Sequence, residues 1–314
     1  MIEAILNIPV LFFLFGVIAI FLGSNIESPV GLNRAITMYL MLAIGIKGGI
    51  SLASESVSWA TFNPILIVVI GSIIVATYVF LIAKRFVSSE TAAAIGATYG
   101  SNSTMTFVTA AAFLTSMNVL YGGSMTVALV LMETPAIIYG IYLATREQHA
   151  NIWKPIKNAL TDGTHLLLIA SLIIGFITVS FSGNTDLLYG FVGGDIFTGA
   201  LCFFLLSMGI KVGIALRDNL KENLDMKLIG MASVLPWING ALGYFTGLLF
   251  GLSTGDLFLT TVLMASSSYI VAPAILEHAV PKAEIGKYLT MSIAVTFPIN
   301  ILIGIPVWWT IIGG

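Results

Sequence analysis

Two polar stretches interrupt an otherwise apolar sequence, and each could hold a small ion. The first reads Gly96-Ala97-Thr98-Tyr99-Gly100-Ser101-Asn102-Ser103-Thr104-Met105-Thr106. The second, over 265–273, carries Ser266, Ser267 and Ser268 in succession, then Tyr269 and Pro273. Glycine, serine and asparagine are weak in helix interiors, and proline removes a ladder donor. Unwound backbone at mid-membrane depth is tolerated only where it lines a cavity or is buried in protein. The helix N-termini made by such breaks favour anions, while freed carbonyls and hydroxyls suit Na⁺. The competing reading is close helix packing through small residues.

Glu133 is the one carboxylate placed deep within an apolar run, with Pro135 two residues on. An ionisable residue there is costly and marks ion pathways, which points to a cation-coupling carboxylate. The alternative is a buried glutamate kept neutral, or paired with a lysine. Lys47 and Lys211 lie within snorkelling range of the interface and read first as anchors or salt-bridge partners. A second reading has each drawing an anion into a vestibule. Glu277-His278 reads as solvated, and Trp308-Trp309 as an interfacial belt. His149 and His165 are isolated, without metal-ligand spacing.

No catalytic residue, cofactor, or metal other than Na⁺ is expected. There is no nucleotide-binding glycine loop with its lysine, and the single cysteine, Cys202, excludes an internal disulfide. Nucleic-acid binding is excluded by 13 basic against 15 acidic residues and the lack of a basic tract.

The elements that must position these residues are membrane helices. Charged residues make up 9% of the 314-residue chain and the apolar set 58%, with a mean hydropathy of +1.01. Lipid must be the solvent for most of that surface. Ten apolar runs are long enough to span: 6–24, 34–54, 62–83, 91–115, 120–145, 164–182, 195–217, 226–250, 256–278 and 286–312. Between them Lys and Arg fall on one side only. Arg34, Lys84, Arg85, Arg146, Lys154, Lys157, Arg217, Lys221, Lys227, Lys282 and Lys287 give eleven against zero. Cytoplasmic loops carry such an excess, which predicts an inner-membrane protein with both termini outside. The first apolar run lacks a basic leader and a cleavage pattern, and is expected to remain as a span.

The halves echo each other. Gly45-Ile46-Lys47-Gly48-Gly49-Ile50 returns as Gly209-Ile210-Lys211-Val212-Gly213-Ile214 at an offset of 164. Ser101-Asn102-Ser103-Thr104 returns as Ser266-Ser267-Ser268-Tyr269 at 165, and Glu133-Thr134-Pro135 as Thr296-Phe297-Pro298 at 163. An odd number of spans per copy inverts the second copy, a pattern common in secondary transporters. The expected fold is therefore all-α: ten transmembrane helices as two inverted five-helix repeats, with broken helices 4 and 9 crossing at the midplane. The repeats cover 1–145 and 164–314, joined by a cytoplasmic connecting loop over 146–163.

The run 265–273, then Pro281, then Thr296-Phe297-Pro298, resembles the sodium-dependent bicarbonate transporter family. Gly100-Ser101-Asn102-Ser103-Thr104-Met105 and Met132-Glu133-Thr134-Pro135-Ala136 are similar to that family's first-half motifs. The likeness covers nearly the whole chain in order. It implies ten spans with core and gate domains, a homo-oligomer (a trimer), and import of bicarbonate with Na⁺ between the broken fourth and ninth spans. Substrate contacts are accordingly expected from Gly100, Ser101, Ser103, Thr104, Ser266, Ser267, Ser268 and Tyr269. Sodium contacts are expected from Asn102, Glu133 and Thr296. The chain departs from cyanobacterial members in two respects: Tyr269 stands where they carry an aspartate, and its central loop is shorter, so a PII-like regulator is not expected.

The expected partners are thus bicarbonate, Na⁺ and the lipid bilayer, and the expected activity is Na⁺-coupled symport by alternating access. The alternatives are a Na⁺-coupled carrier of another small organic anion, or a Na⁺/H⁺ antiporter on the same architecture. Antiporters usually place carboxylates at the helix crossing, and neither polar stretch has one. A channel or scaffold would leave the matched stretches unexplained.

Overall fold

The computed structural model describes residues 7–54, 59–145, 157, 163–182 and 190–313. Most of the expected connecting loop, with Arg146, His149 and Lys154, lies outside the described residues, as does the side chain of His165. Every regular element among the described residues is helical. In the first half these are α1 (Ile8–Phe21), α2 (Val30–Ser54), α3 (Trp59–Ala83), α4 (Ser89–Gly100), α5 (Thr104–Ser116) and α6 (Ser124–Thr145). In the second they are α7 (Gly163–Ser182), α8 (Gly194–Ile214), α9 (Met226–Leu249), α10 (Thr254–Ala265), α11 (Val271–Ala279) and α12 (Ile285–Ile312).

Among the described residues six helices are long and apolar enough to cross a membrane: α2, α3, α6, α9, α12, and α8 with its flanking turns. Shorter apolar helices stand beside them, among them α1 and α10. Large apolar side chains such as Phe15, Ile173, Phe203 and Phe245 project outward, whereas Glu133, Asn239 and Asn300 are buried. This distribution suits a hydrocarbon solvent, in which polar groups must find their partners inside.

Glycines set the closest helix contacts. α1 lies along α8 and α2 along α7, and α2 also meets α8. A Cβ at Gly209 would stand 2.1 Å from the Phe13 carbonyl oxygen, and one at Gly49 2.1 Å from that of Leu172. Backbones therefore touch directly, as small-residue interfaces in membranes allow. The second cluster packs α3, α4 and α6 together, and α9 against α10 and α12, with α10 bridging to α3 and α5. Within it, Gly96 and Gly100 seat α4 on α3, their Cβ positions 2.6 and 2.5 Å from the carbonyl oxygens of Ala76 and Ser72.

Pro298 does not break α12. π-helical turns at Met291–Thr296 and Asn300–Gly304 flank it and absorb the lost donor. The expected tryptophan belt is corrected in part. Trp308 is buried against Trp237 and Tyr244, in a slot that opens because Gly240 lacks a side chain. Trp309 packs edge-on to Phe113 and Phe258. Both rings are thus held by packing on other aromatic side chains of the bundle.

Candidate functional site

Two helix pairs are interrupted where the sequence turns polar. α4 ends at Gly100 and α5 begins at Thr104; α10 ends at Ala265 and α11 begins at Val271. Pro273 stands in the first turn of α11, where its missing N–H is no loss, so it starts that helix rather than breaking one. A serine hydroxyl serves the first turn of the second helix in each pair: Ser103 is the N-cap of α5, and Ser268 stands two residues before Ile270, the N-cap of α11. The Ser103 hydroxyl accepts from the Thr106 amide at 3.2 Å, and the Ser268 hydroxyl from the Ala272 amide at 3.1 Å.

The interruptions complete each other. The Ser268 amide donates to the Thr98 carbonyl at 2.9 Å, taking up an acceptor freed where α4 ends. In the opposite sense, the Ser103 amide donates to the Ser266 hydroxyl at 2.9 Å, which itself donates to the Leu263 carbonyl at 2.8 Å. One exchange is direct and the other passes through a hydroxyl. Two side-chain amides add to this, one from the first interruption and one from α12. Asn102 donates to the Leu129 carbonyl at 2.8 Å, and Asn300 to the Ala265 carbonyl at 2.9 Å.

A cavity of about 40 Å³ lies beside these turns, lined by Asn102, Ser103, Thr104, Met105, Glu133, Ser268, Tyr269, Ile270 and Val271, with Thr37 and Met41 from α2. A single water occupies roughly 10–15 Å³ on that measure, so the space suits an ion or an anion of a few heavy atoms. The first turns of α5 and α11 both border it and present the positive ends of two helix dipoles. Opposite in sign is Glu133, 3% exposed, whose Oε1 accepts from the Ser268 hydroxyl at 3.3 Å. Tyr269 packs edge-on to Phe297, with ring centroids 5.2 Å apart.

Of the residues expected to contact substrate, Ser103, Thr104, Ser268 and Tyr269 line this cavity, as do Asn102 and Glu133 from the sodium set. Gly100 is instead pressed between α3 and α6. Ser101 and Ser267 are buried within the interruptions, and among the described residues their hydroxyls have no hydrogen-bond partner. Ser266 is engaged with Leu263 and Ser103. Thr296 stands off the cavity: it donates to the Ala232 carbonyl at 3.0 Å and accepts from the Tyr99 hydroxyl at 2.6 Å. Thr37 and Asn300 belong to the site region but do not follow from the sequence reading. An asparagine inside an apolar run was a usable signal for Asn300; a lone threonine was none for Thr37.

Lys47 and Lys211 each border a wider cavity, of about 520 and 580 Å³ respectively. The Lys47 ammonium sits over the Phe197 ring, 4.4 Å from its centroid. Among the described residues no carboxylate forms a salt bridge with either lysine. The cavity beside Lys211 shares Thr37, Met41 and Ile270 with the small one at the interruptions, whereas the cavity beside Lys47 shares no lining residue with it.

The sequence matches no curated, characterised protein. A family model described as the Na⁺-dependent bicarbonate transporter superfamily matches residues 9–313. That stretch takes in both interruptions, Glu133 and both lysines. Facing helix breaks around a small cavity with a buried carboxylate on its wall thus come with a match along nearly the full length: the chain belongs to the Na⁺-dependent bicarbonate transporter superfamily.

Proposed function

We propose that this chain imports bicarbonate together with Na⁺ by alternating access, and that both bind in the cavity between the α4–α5 and α10–α11 interruptions. The observation that carries this reading is the meeting of Glu133 with two helix N-termini in one small space. Helix N-termini attract an anion, but a carboxylate a few ångströms away repels it. A cation held by Glu133 and nearby oxygens removes the conflict, so neither ion binds well alone. Such mutual dependence is the thermodynamic content of symport. Bicarbonate fits the size of the cavity and, with both donor and acceptor capacity, the hydroxyls and amides that line it. A dicarboxylate would be better served by an arginine fork, and no arginine borders the cavity.

Alternating access rests on the two inverted halves, 1–145 and 164–314. Several contacts support them. Gly45 and Gly49 of α2 press on α7, while Gly209 and Gly213 of α8 press on α1, so the same pairing recurs at an offset of 164. The hydroxyls of Ser103 and Ser268, at an offset of 165, each accept from an amide in the first turn of the helix that follows. In this reading α1, α2, α7 and α8 form one moving unit and the interrupted helices belong to the other. With both termini outside, the orientation that the charge split supports, the Lys211 cavity faces the cytoplasm and this arrangement reads as open inward.

The test is uptake of labelled bicarbonate into proteoliposomes of purified protein, with and without an imposed Na⁺ gradient. Uptake that follows the gradient is expected. If no labelled bicarbonate moves under any Na⁺ gradient, the proposal falls. Gradient-driven flux of a small organic anion instead would favour the related carrier.

A further inference from the structure

Two lysines stand inside membrane-spanning helices without a carboxylate partner among the described residues, at equivalent positions of the two halves. Lys47 is followed by Gly48-Gly49 and Lys211 by Val212-Gly213, an offset of 164. A cation in such a place is costly unless it faces water, and it marks a path for ions. Each of these two lines a wide cavity, and the two cavities are similar in size, about 520 and 580 Å³.

The walls around each lysine have a common chemistry. Beside Lys47 stand Ser51, Ser54, Thr115 and Asn118; beside Lys211 stand Ser28, Asn33, Arg34 and Thr37. Among the described lining residues each cavity carries a lysine, the Lys211 cavity also Arg34, and neither carries a carboxylate. Lys47 is steadied by the Phe197 face, which holds an ammonium in place without cancelling its charge as a carboxylate would. A cleft lined by one sign of charge with low-dielectric walls concentrates the opposite ion and speeds its capture. The Lys211 basin also shares Thr37, Met41 and Ile270 with the small cavity at the interruptions, so an anion drawn to it arrives beside the transport site.

From this we infer that Lys47 and Lys211 are paired anion-capture residues, one for each face of the membrane, which gather the transported monoanion outside the coupling site itself. The inference rests on the bicarbonate reading above for the identity of that anion, but not for the sign or the place of the capture. Each lysine serves the state open to its own side. Neither touches the Na⁺ step.

The experiment separates the two ideas. In full-length protein with Cys202→Ser, one cysteine is placed in each basin, Ser51→Cys or Asn33→Cys. Its reaction is timed with methanethiosulfonate reagents carrying either a sulfonate or a trimethylammonium group. The anionic reagent should react faster than the cationic one at both sites, relative to free thiol. Lys47→Gln should lower that ratio at Ser51→Cys by roughly threefold to tenfold and leave Asn33→Cys unchanged, with Lys211→Gln doing the reverse. Lys47→Arg and Lys211→Arg, which keep the charge, should restore the ratios. In flux measurements Lys47→Gln should raise KM for external bicarbonate several-fold at an unchanged Na⁺ half-activation. Ratios that ignore the Gln variants, in protein that elutes as the parent does, would overturn the capture role whatever the substrate. Wild-type protein that keeps the ratios but moves no bicarbonate would overturn the substrate reading alone.

Discussion

The Ser268 hydroxyl reaches Glu133 Oε1 at 3.3 Å, joining the interruption between α10 and α11 to the carboxylate that faces the same cavity from α6. The same hydroxyl accepts from the Ala272 amide in the first turn of α11, so Glu133 is tied through one side chain to the start of that helix.

Glu133→Gln keeps the shape of the side chain and removes its charge. If the carboxylate holds the coupling ion, the Na⁺ concentration for half-maximal uptake should rise roughly 10–100-fold. That corresponds to about 1.5–3 kcal/mol for one charged contact. The chromatographic profile should be unaltered. An unchanged Na⁺ activation curve would return Glu133 to a structural role.

Ser103→Ala removes a helix cap, which costs about 1 kcal/mol of stability, and Ser267→Ala deletes a buried hydroxyl with no protein partner. Combined, they should abolish labelled bicarbonate uptake while the protein still purifies as a single species. Normal transport by the double variant would exclude these hydroxyls from the site.

Tyr269→Asp would add a second negative charge to a cavity that already contains Glu133. Half-activating Na⁺ should fall, and any uptake without Na⁺ should disappear. A folded variant with the parent's Na⁺ curve would show that position 269 does not set the coupling.

Packing gives a prediction independent of substrate. A Cβ at Gly209 meets the Phe13 carbonyl oxygen at 2.1 Å and one at Gly49 meets that of Leu172 at 2.1 Å, whereas nothing lies within 4 Å of one at Gly230. Gly209→Ala and Gly49→Ala should each destabilise by about 1–3 kcal/mol, read as a lower Tm in detergent. Gly230→Ala should be silent.

Orientation is open to labelling. In a Cys202→Ser background, Gly193→Cys should react with a membrane-impermeant maleimide on intact cells, and Lys157→Cys only after lysis. Reversed labelling would invert the assigned sidedness and leave the packing of the halves untouched.

Local chemistry explains what could be read in advance. The interruptions fall inside the polar stretches 96–106 and 265–273, where serine, glycine and asparagine cluster, but they are narrower: residues 96–100 stay helical and α11 already runs from Val271. Glu133 stood out because a carboxylate in an apolar run has no bland surroundings. Which polar atoms meet at the cavity was not legible. Ser266 and Ser268 are two residues apart, yet one turns back to Leu263 while the other reaches Glu133, and only the path of the backbone through 266–270 decides it. Thr296 looked equivalent to Glu133 by its place in the repeat, but the Tyr99 hydroxyl and the Ala232 carbonyl engage it elsewhere. Thr37 arrives from α2, a helix distant in sequence, and carries no local mark. Trp308 misled because a tryptophan near a helix end is common at interfaces, and the slot left by Gly240 is a tertiary fact.

The Ser268 amide ends on Thr98, and the Ser103 amide ends on Ser266, so each interruption is finished by atoms from the other half of the chain. The same holds on a larger scale, since α1 finds its neighbour in α8 and α7 finds its own in α2. Neither interruption can be satisfied by its own half: with the other removed, the Ser103 and Ser268 amides and the Thr98 carbonyl would each lose the partner they have here. A substitution at one interruption is therefore answered by what stands in the other, and the two stretches can be altered safely only as a pair.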